Sequence, residues 1–242
     1  MRSPMLFGNA PLIGLDLGSG MVKAAAVRRK GDRLVVERAG IAALPGGAMS
    51  GRMYLDPPAV AECVRKLCHD VGLRGRRTAV AMAGDEVFHA RLKVERGAVP
   101  NLDTLVRQEV SKLAPFSLDE ALLDYHVLDN FAHSQWVDAV AVAARRLGVE
   151  RVTGVVERSG KTVEVVDSAA CALTNVFELN YEPAAADITA LVHLGAAILT
   201  VCILRGTTPL VVKDLTLETT SPWRNQPSPA ERVAVELDRV FE

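Results

Sequence analysis

Along the chain, apolar positions come in short alternating or continuous blocks cut by small turns. Leu12–Leu17, Met21–Arg29 and Arg33–Ile41 are three such blocks, separated by Gly18-Ser19-Gly20 and by Gly31-Asp32. Strand-length blocks between Gly turns predict an antiparallel three-stranded meander. A loop from Pro45-Gly46-Gly47 to Gly51 follows, and then the period changes. Val60, Cys63, Val64, Leu67, Cys68 and Val71 keep helical spacing behind Asp56-Pro57-Pro58, with Gly72 as the stop. Thr78–Ala83 reads as a short buried strand. The opening third is therefore expected to run β-β-β-α-β.

From Asp85 the texture differs. Val87–Val94 reads as a strand and Asn101–Leu113 as a helix, with Leu102, Leu105, Val106, Val110 and Leu113 on one face. Pro115-Phe116 makes a turn, and strands are expected at Ala121–Leu128 and Trp136–Ala144. Leu147–Arg158 has helical spacing but carries Gly148, Thr153 and Gly154, which makes it a poor helix. The pattern then returns to that of the start: a strand at Lys161–Val166, an Ala-rich helix at Ser168–Asn180, and strands at Ala190–Leu194, Ile198–Arg205 and Pro209–Leu215. A last helix is expected from Pro229, with Ser228 as N-cap.

The first and last meanders superpose without a gap. Asp16 aligns with His193, Gly18 with Gly195, Ser19 with Ala196 and Lys23 with Thr200. This duplication divides the chain into residues 1–84 plus 161–187 as a first domain, 85–160 as an inserted α+β subdomain, and 188–242 as a partial second domain.

Charge narrows the field. With 28 Lys+Arg against 29 Asp+Glu, the net charge of −1 argues against a nucleic-acid surface. Arg74, Arg76 and Arg77 read as a solvated loop. The four cysteines form no C-x-x-C pair and read as buried free thiols, and the five histidines never fall at metal-ligand spacing. The N-terminus lacks the apolar core of a signal peptide, and the longest uncharged run, Ile188–Leu204, is shorter than the roughly 20 residues of a membrane helix. A cytoplasmic protein without direct membrane insertion is expected.

Chemistry concentrates in the first turn. Small residues at Gly18-Ser19-Gly20 let backbone N–H groups approach phosphate oxygens. Asp16 at the strand end is placed to hold Mg²⁺ through its waters, and Lys23 to meet remaining negative charge. No G-x-x-x-x-G-K-[ST] loop is present, and Gly18–Lys23 lacks the third glycine of the dinucleotide fingerprint. A duplicated β-β-β-α-β-α unit with a phosphate-binding hairpin in each copy is the layout of the actin, sugar-kinase and heat-shock-chaperone superfamily, with its ribonuclease H-like core.

I-G-L-D-L-G-S-G-M-V-K (Ile13–Lys23) resembles the opening of the PilM family of type IV pilus assembly proteins, relatives of the cell-division protein FtsA. Glu109–Leu128 resembles that family's helix, Pro-Phe turn and L-D-Y-x-V/I-L strand. Val165–Leu173 resembles its strand-to-helix connection, and Ala190–Ala197 with Leu204–Leu215 its second hairpin. The resemblance implies an actin-like α/β fold with an inserted subdomain and an incomplete second half. It implies ATP and Mg²⁺ as ligands, held by Asp16, Gly18, Ser19, Gly20 and Lys23 of the first turn and by Gly195 and Thr200 of the second. It also implies a scaffold of the inner-membrane assembly platform, cytoplasmic and peripheral at the inner membrane, together with other platform proteins. That scaffold would dock the N-terminal peptide of a PilN-like membrane protein, with Val87, Leu105, Glu109, Leu113, Pro115 and Phe116 as the expected lining.

The chain departs from the family pattern at the second turn. His193 stands where the family carries Asp, and Ala196, Ala197 and Ile198 replace hydroxyl-bearing small residues; Ala169 replaces the usual acidic residue after Asp167. A neutral imidazole is a poor ligand for a hard cation that prefers oxygen. A weakened nucleotide site and no hydrolysis are therefore expected. The alternatives are an ATPase or kinase using Asp16 and Lys23, an FtsA-like polymerising membrane protein, and a relative of the secretion-system protein GspL.

Overall fold

The computed structural model describes residues 12–31, 33–95, 101–128 and 135–217, with Glu231, Ala234, Val235 and Asp238 beyond them. The final helix expected from Pro229 falls largely outside the described residues. The opening meander is β1 (Leu12–Leu17), β2 (Met21–Lys30) and β3 (Arg33–Ala43). The loop that follows contains a two-residue ladder, β4 (Met49–Ser50) with β5 (Met53–Tyr54). Helix α1 (Pro57–Asp70) starts where Asp56 accepts a hydrogen bond from the Ala59 amide at 3.0 Å, and a proline occupies its first turn. Strand β6 (Arg77–Met82) returns parallel to β1.

Next come β7 (Val87–Glu95), α2 (Leu102–Leu113), β8 (Ala121–Leu128), β9 (Trp136–Arg145) and α3 (Arg146–Arg158). Helix α3 is continuous despite its glycines. Val152, Val155 and Val156 are all buried, and that packing outweighs the propensity cost of about 1 kcal/mol per glycine. At Gly148 a Cβ would lie 2.8 Å from the Glu86 carboxyl, the mobile end of a long side chain that can move aside. The last described elements are β10 (Thr162–Ser168), α4 (Ala169–Asn180), β11 (Ile188–Leu194), β12 (Ile198–Arg205) and β13 (Thr208–Thr216).

The chain divides into two compact units, residues 1–82 with 149–167 and residues 83–148 with 168–242. The first holds a five-stranded sheet in the order β10-β6-β1-β2-β3. Ile13, Leu15 and Leu17 of β1, Val22 of β2, Val60 and Val64 of α1 and Val80 of β6 are all under 4% exposed. Trimming a buried Ile or Leu of this kind to Ala ordinarily costs about 2–5 kcal/mol. The second unit holds two three-stranded sheets, β7-β9-β8 and β11-β12-β13. Helix α2 covers the first, burying Val106 and Val110 with Leu92, Phe116 and Ala143. Helix α4 packs on the second through Ala170, Cys202 and Leu204.

Candidate functional site

The repeat read from the sequence is present in the backbone register. Asp16 pairs across β1–β2 with Lys23, and His193 pairs across β11–β12 with Thr200. Each turn closes with the same hydrogen bond, from Gly18 N to Met21 O at 3.1 Å and from Gly195 N to Ile198 O at 2.8 Å. A Cβ on Gly18 would stand 3.1 Å from Met21 O, and one on Gly195 only 2.8 Å from Ile198 O. The tightness of the hairpin therefore demands glycine at 195 and favours it at 18, whether or not a phosphate is ever bound.

In the first turn Asp16, Gly18, Ser19, Gly20 and Lys23 come together. Lys23 Nζ donates to Asp16 Oδ2 at 2.8 Å, with the two side chains 43% and 38% exposed. At that exposure the ion pair contributes less than about 1 kcal/mol, so a cation or phosphate could displace either partner at little cost. One carboxylate, one ammonium and small residues at the turn form a donor set compatible with a Mg-nucleotide.

The second turn is different. His193 is exposed, while Thr200 is 1% exposed and donates its hydroxyl to Asp214 Oδ1. The other oxygen of Asp214 accepts the Gly84 amide at 2.7 Å. A carboxylate does stand beside the second turn, on β13 rather than at the end of β11, and protein donors already hold both of its oxygens. Sequence reading passed over it; the available signal was an acid beside Lys213 near the end of the apolar run Leu210–Val212. Among the described residues, no group of three His, Cys, Asp or Glu side chains is arranged to hold a metal ion. The first turn thus presents a carboxylate and an ammonium to solvent, whereas the carboxylate beside the second is held by Thr200 and Gly84.

A second polar cluster lies near Asp214. Ser168 caps α4 by accepting the Cys171 amide at 3.1 Å, and its Oγ stands 2.7 Å from His89 Nε2. Burial pushes the His89 imidazole below its ordinary value, and the Asp214 charge opposes that only in part. Burial pushes the Cys202 thiol up to about 12, with Asp214 and Cys171 adding to it. Cys68 and Cys202 are buried; Cys63 and Cys171 are only partly so.

The expected peptide-lining residues separate by exposure. Val87 and Phe116 are 8% and 9% exposed and belong to the subdomain interior. The Arg145 guanidinium lies 4.6 Å above the Phe116 ring. Leu105 and Glu109 are half-buried, Glu109 pairing with Lys112 at 2.6 Å, while Leu113 is 55% exposed and Pro115 is exposed. Leu105, Glu109 and Leu113 follow one another at i, i+4 and i+8 along one side of α2.

Architecture and comparison agree on the class of protein. The fold matches the PilM–PilN type IV pilus biogenesis complex with a TM-score of 0.74 at 24% identity, covering 87% of this chain and 62% of that one. It matches the cytoplasmic domain of EpsL, an inner membrane component of the type II secretion system of Vibrio cholerae, at 0.54 and 12%, covering 86% and 71%. A Bacteroides thetaiotaomicron protein with an actin-like ATPase fold and unknown function matches at 0.50 and 8%, covering 94% and 75%. This is an actin-like fold carrying an inserted subdomain. A family model described as type IV pilus assembly protein PilM matches residues 14–216, and the chain belongs to that family. It spans less than two thirds of the PilM–PilN chain it resembles. No helix among the described residues is long and apolar enough to cross a membrane.

Proposed function

We propose that the chain is a scaffold of the type IV pilus assembly platform that docks the extended N-terminal tail of a PilN-like inner-membrane protein. In this reading the three-part division by function, residues 1–84 with 161–187, 85–160 and 188–242, is kept, and residues 85–160 make the docking part. The family match over residues 14–216 carries the proposal. The exposed end of α2 supports its placement, since Leu113 and Pro115 offer apolar surface next to a turn whose own ring, Phe116, is buried. An extended tail binds through side-chain pockets and through pairing with a strand edge, and β7 and β8 are the edges of the subdomain sheet. Such a partner would hold the chain at the cytoplasmic face of the inner membrane beside other platform proteins.

The test is fluorescence polarisation with a labelled synthetic N-terminal tail of a PilN-like protein. Leu113→Asp is expected to weaken binding about tenfold or more while leaving the fold intact, because the side chain is exposed. Equal affinity for wild type and variant would remove α2 from the site.

A weakened nucleotide site goes with the scaffold role. The observation that favours it is Asp214, whose oxygens are occupied by Thr200 and Gly84. Calorimetric titration with Mg-ATP is expected to show no Asp16-dependent binding tighter than millimolar, a range of about −4 kcal/mol. Micromolar binding abolished by Asp16→Ala would favour the alternative, an ATP-binding ATPase or kinase that uses Asp16 and Lys23.

A further inference from the structure

Away from both hairpins, the first unit contains a cleft of about 420 Å³ between the loop after α1 and the turn after α3. Arg65, His69, Arg74, Arg76 and Lys161 are among the residues that line it, and no carboxylate is. We infer that this cleft is a binding site for a phosphate group, independent of the peptide-docking reading above.

The loop is built, not merely solvated. Gly72 takes a φ of +71° at the end of α1, and Gly160 a φ of +83° at the end of α3, so both chains turn sharply here. The Lys161 ammonium then reaches across and donates to Leu73 O at 2.8 Å and Gly75 O at 2.7 Å. The Thr162 amide donates to Arg76 O at 2.8 Å. The path of residues 73–76 is therefore fixed from the other side of the cleft.

Neighbouring charges divide into those already neutralised and those left over. Arg77 is held by Glu164 at 2.6 Å and Arg65 by Glu62. Arg74 and Arg76 are exposed and form no ion pair among the described residues, and the partners of Lys161 are neutral carbonyls. The C-termini of α1 and α3 both end at this cleft, and each carries about −0.5 charge, so together they offset roughly one cation. Three cations remain even after Arg65 is set aside with Glu62, so the cleft keeps about two positive charges.

A compact dianion answers that surplus better than a polypeptide would. Two guanidinium groups can each give a planar pair of N–H donors to phosphate oxygens. The apolar lining, Cys68 and Leu73, is 3% and 4% exposed and offers nothing for peptide side chains to pack against. The phosphate could belong to a free phosphoanion or to a lipid headgroup, and two arms of one experiment separate these.

In the first arm, pyrophosphate is titrated calorimetrically into the full chain, into Arg74→Ser/Arg76→Ser and into Asp16→Ala. Saturable sub-millimolar binding is expected in wild type and in Asp16→Ala, weakened about tenfold or more in the double variant and falling as salt rises. Both arginines are exposed, so the variant should keep the wild-type unfolding midpoint. Absence of binding, or binding lost in Asp16→Ala and kept in the double variant, overturns the inference. The second arm is co-sedimentation with phosphatidylcholine vesicles, with and without phosphatidylglycerol. Arginine-dependent sedimentation with the anionic vesicles assigns the phosphate to a lipid headgroup. Pyrophosphate binding without sedimentation assigns it to a free phosphoanion.

Discussion

His89 shows how one side chain ties stability to pH. Its imidazole is packed beside Ser168, 2.7 Å from the hydroxyl that caps α4, and burial holds it below its ordinary value near 6.5. The nearby Asp214 charge works in the opposite direction and does not prevail. The folded chain therefore binds fewer protons at this site than the unfolded chain does. Stability from this group is complete above about pH 6.5 and declines as the pH falls through the unfolded value toward the folded one. Urea unfolding midpoints are expected to fall between about pH 7.5 and about pH 5.5, and His89→Gln should flatten that slope. An unchanged slope in the variant would place the titrating group elsewhere. Burial, with the Asp214 charge and Cys171 adding to it, likewise pushes the Cys202 thiol up to about 12, so it stays protonated at neutral pH.

At the scale of elements, most of the architecture was legible, because strand and helix periods differ and Gly or Pro marks nearly every boundary. The three helices with clean stripes fall within a residue of their expected bounds, as α2 does at Leu102–Leu113. The weak case was α3, where Gly148 and Thr153 obscure a helix that tertiary packing imposes; no local rule could see how deeply Val152, Val155 and Val156 are buried. The hairpin repeat was also legible as an alignment of Asp16 with His193 and of Lys23 with Thr200; that each aligned set pairs across its own hairpin came only from the register. What the sequence could not reveal was the role of Asp214, because that depends on its register opposite Thr200 on the neighbouring β12 and on an amide from residue 84. Nor could helical spacing tell buried Phe116 from exposed Leu113 at one end of the subdomain. The glycines of the two turns carry a similar lesson. Steric demand at 3.1 Å and 2.8 Å explains them without a nucleotide, so the turn motif alone is weak evidence for a ligand.

For the molecule as a whole, the two repeats differ in what surrounds them. Strand β1 has neighbours on both sides, β2 and β6, whereas β11 among the described residues pairs only with β12. Exposure follows: Ile13, Leu15 and Leu17 of β1 are buried, but Ile188, Val192 and Leu194 of β11 are 59%, 48% and 59% exposed. Strand β12 is nonetheless a true interior strand, with Leu199, Val201, Cys202 and Leu204 at 0% exposure and α4 over one face. Three strands with a helix across them meet the minimum for independent stability. Native-state hydrogen exchange should therefore find its slowest amides in β1, β9 and β12, each paired on both sides. The edge strands β3, β8 and β11 should open at lower free energy. If β12 exchanges as fast as β11, the second meander is held only marginally, and its Thr200–Asp214–Gly84 bonds close and open with it. If β12 is as protected as β1, then the second repeat is a firm platform, and the difference between the two turns, Asp16 and Lys23 against His193 and Thr200, is a matter of side chains rather than of folding.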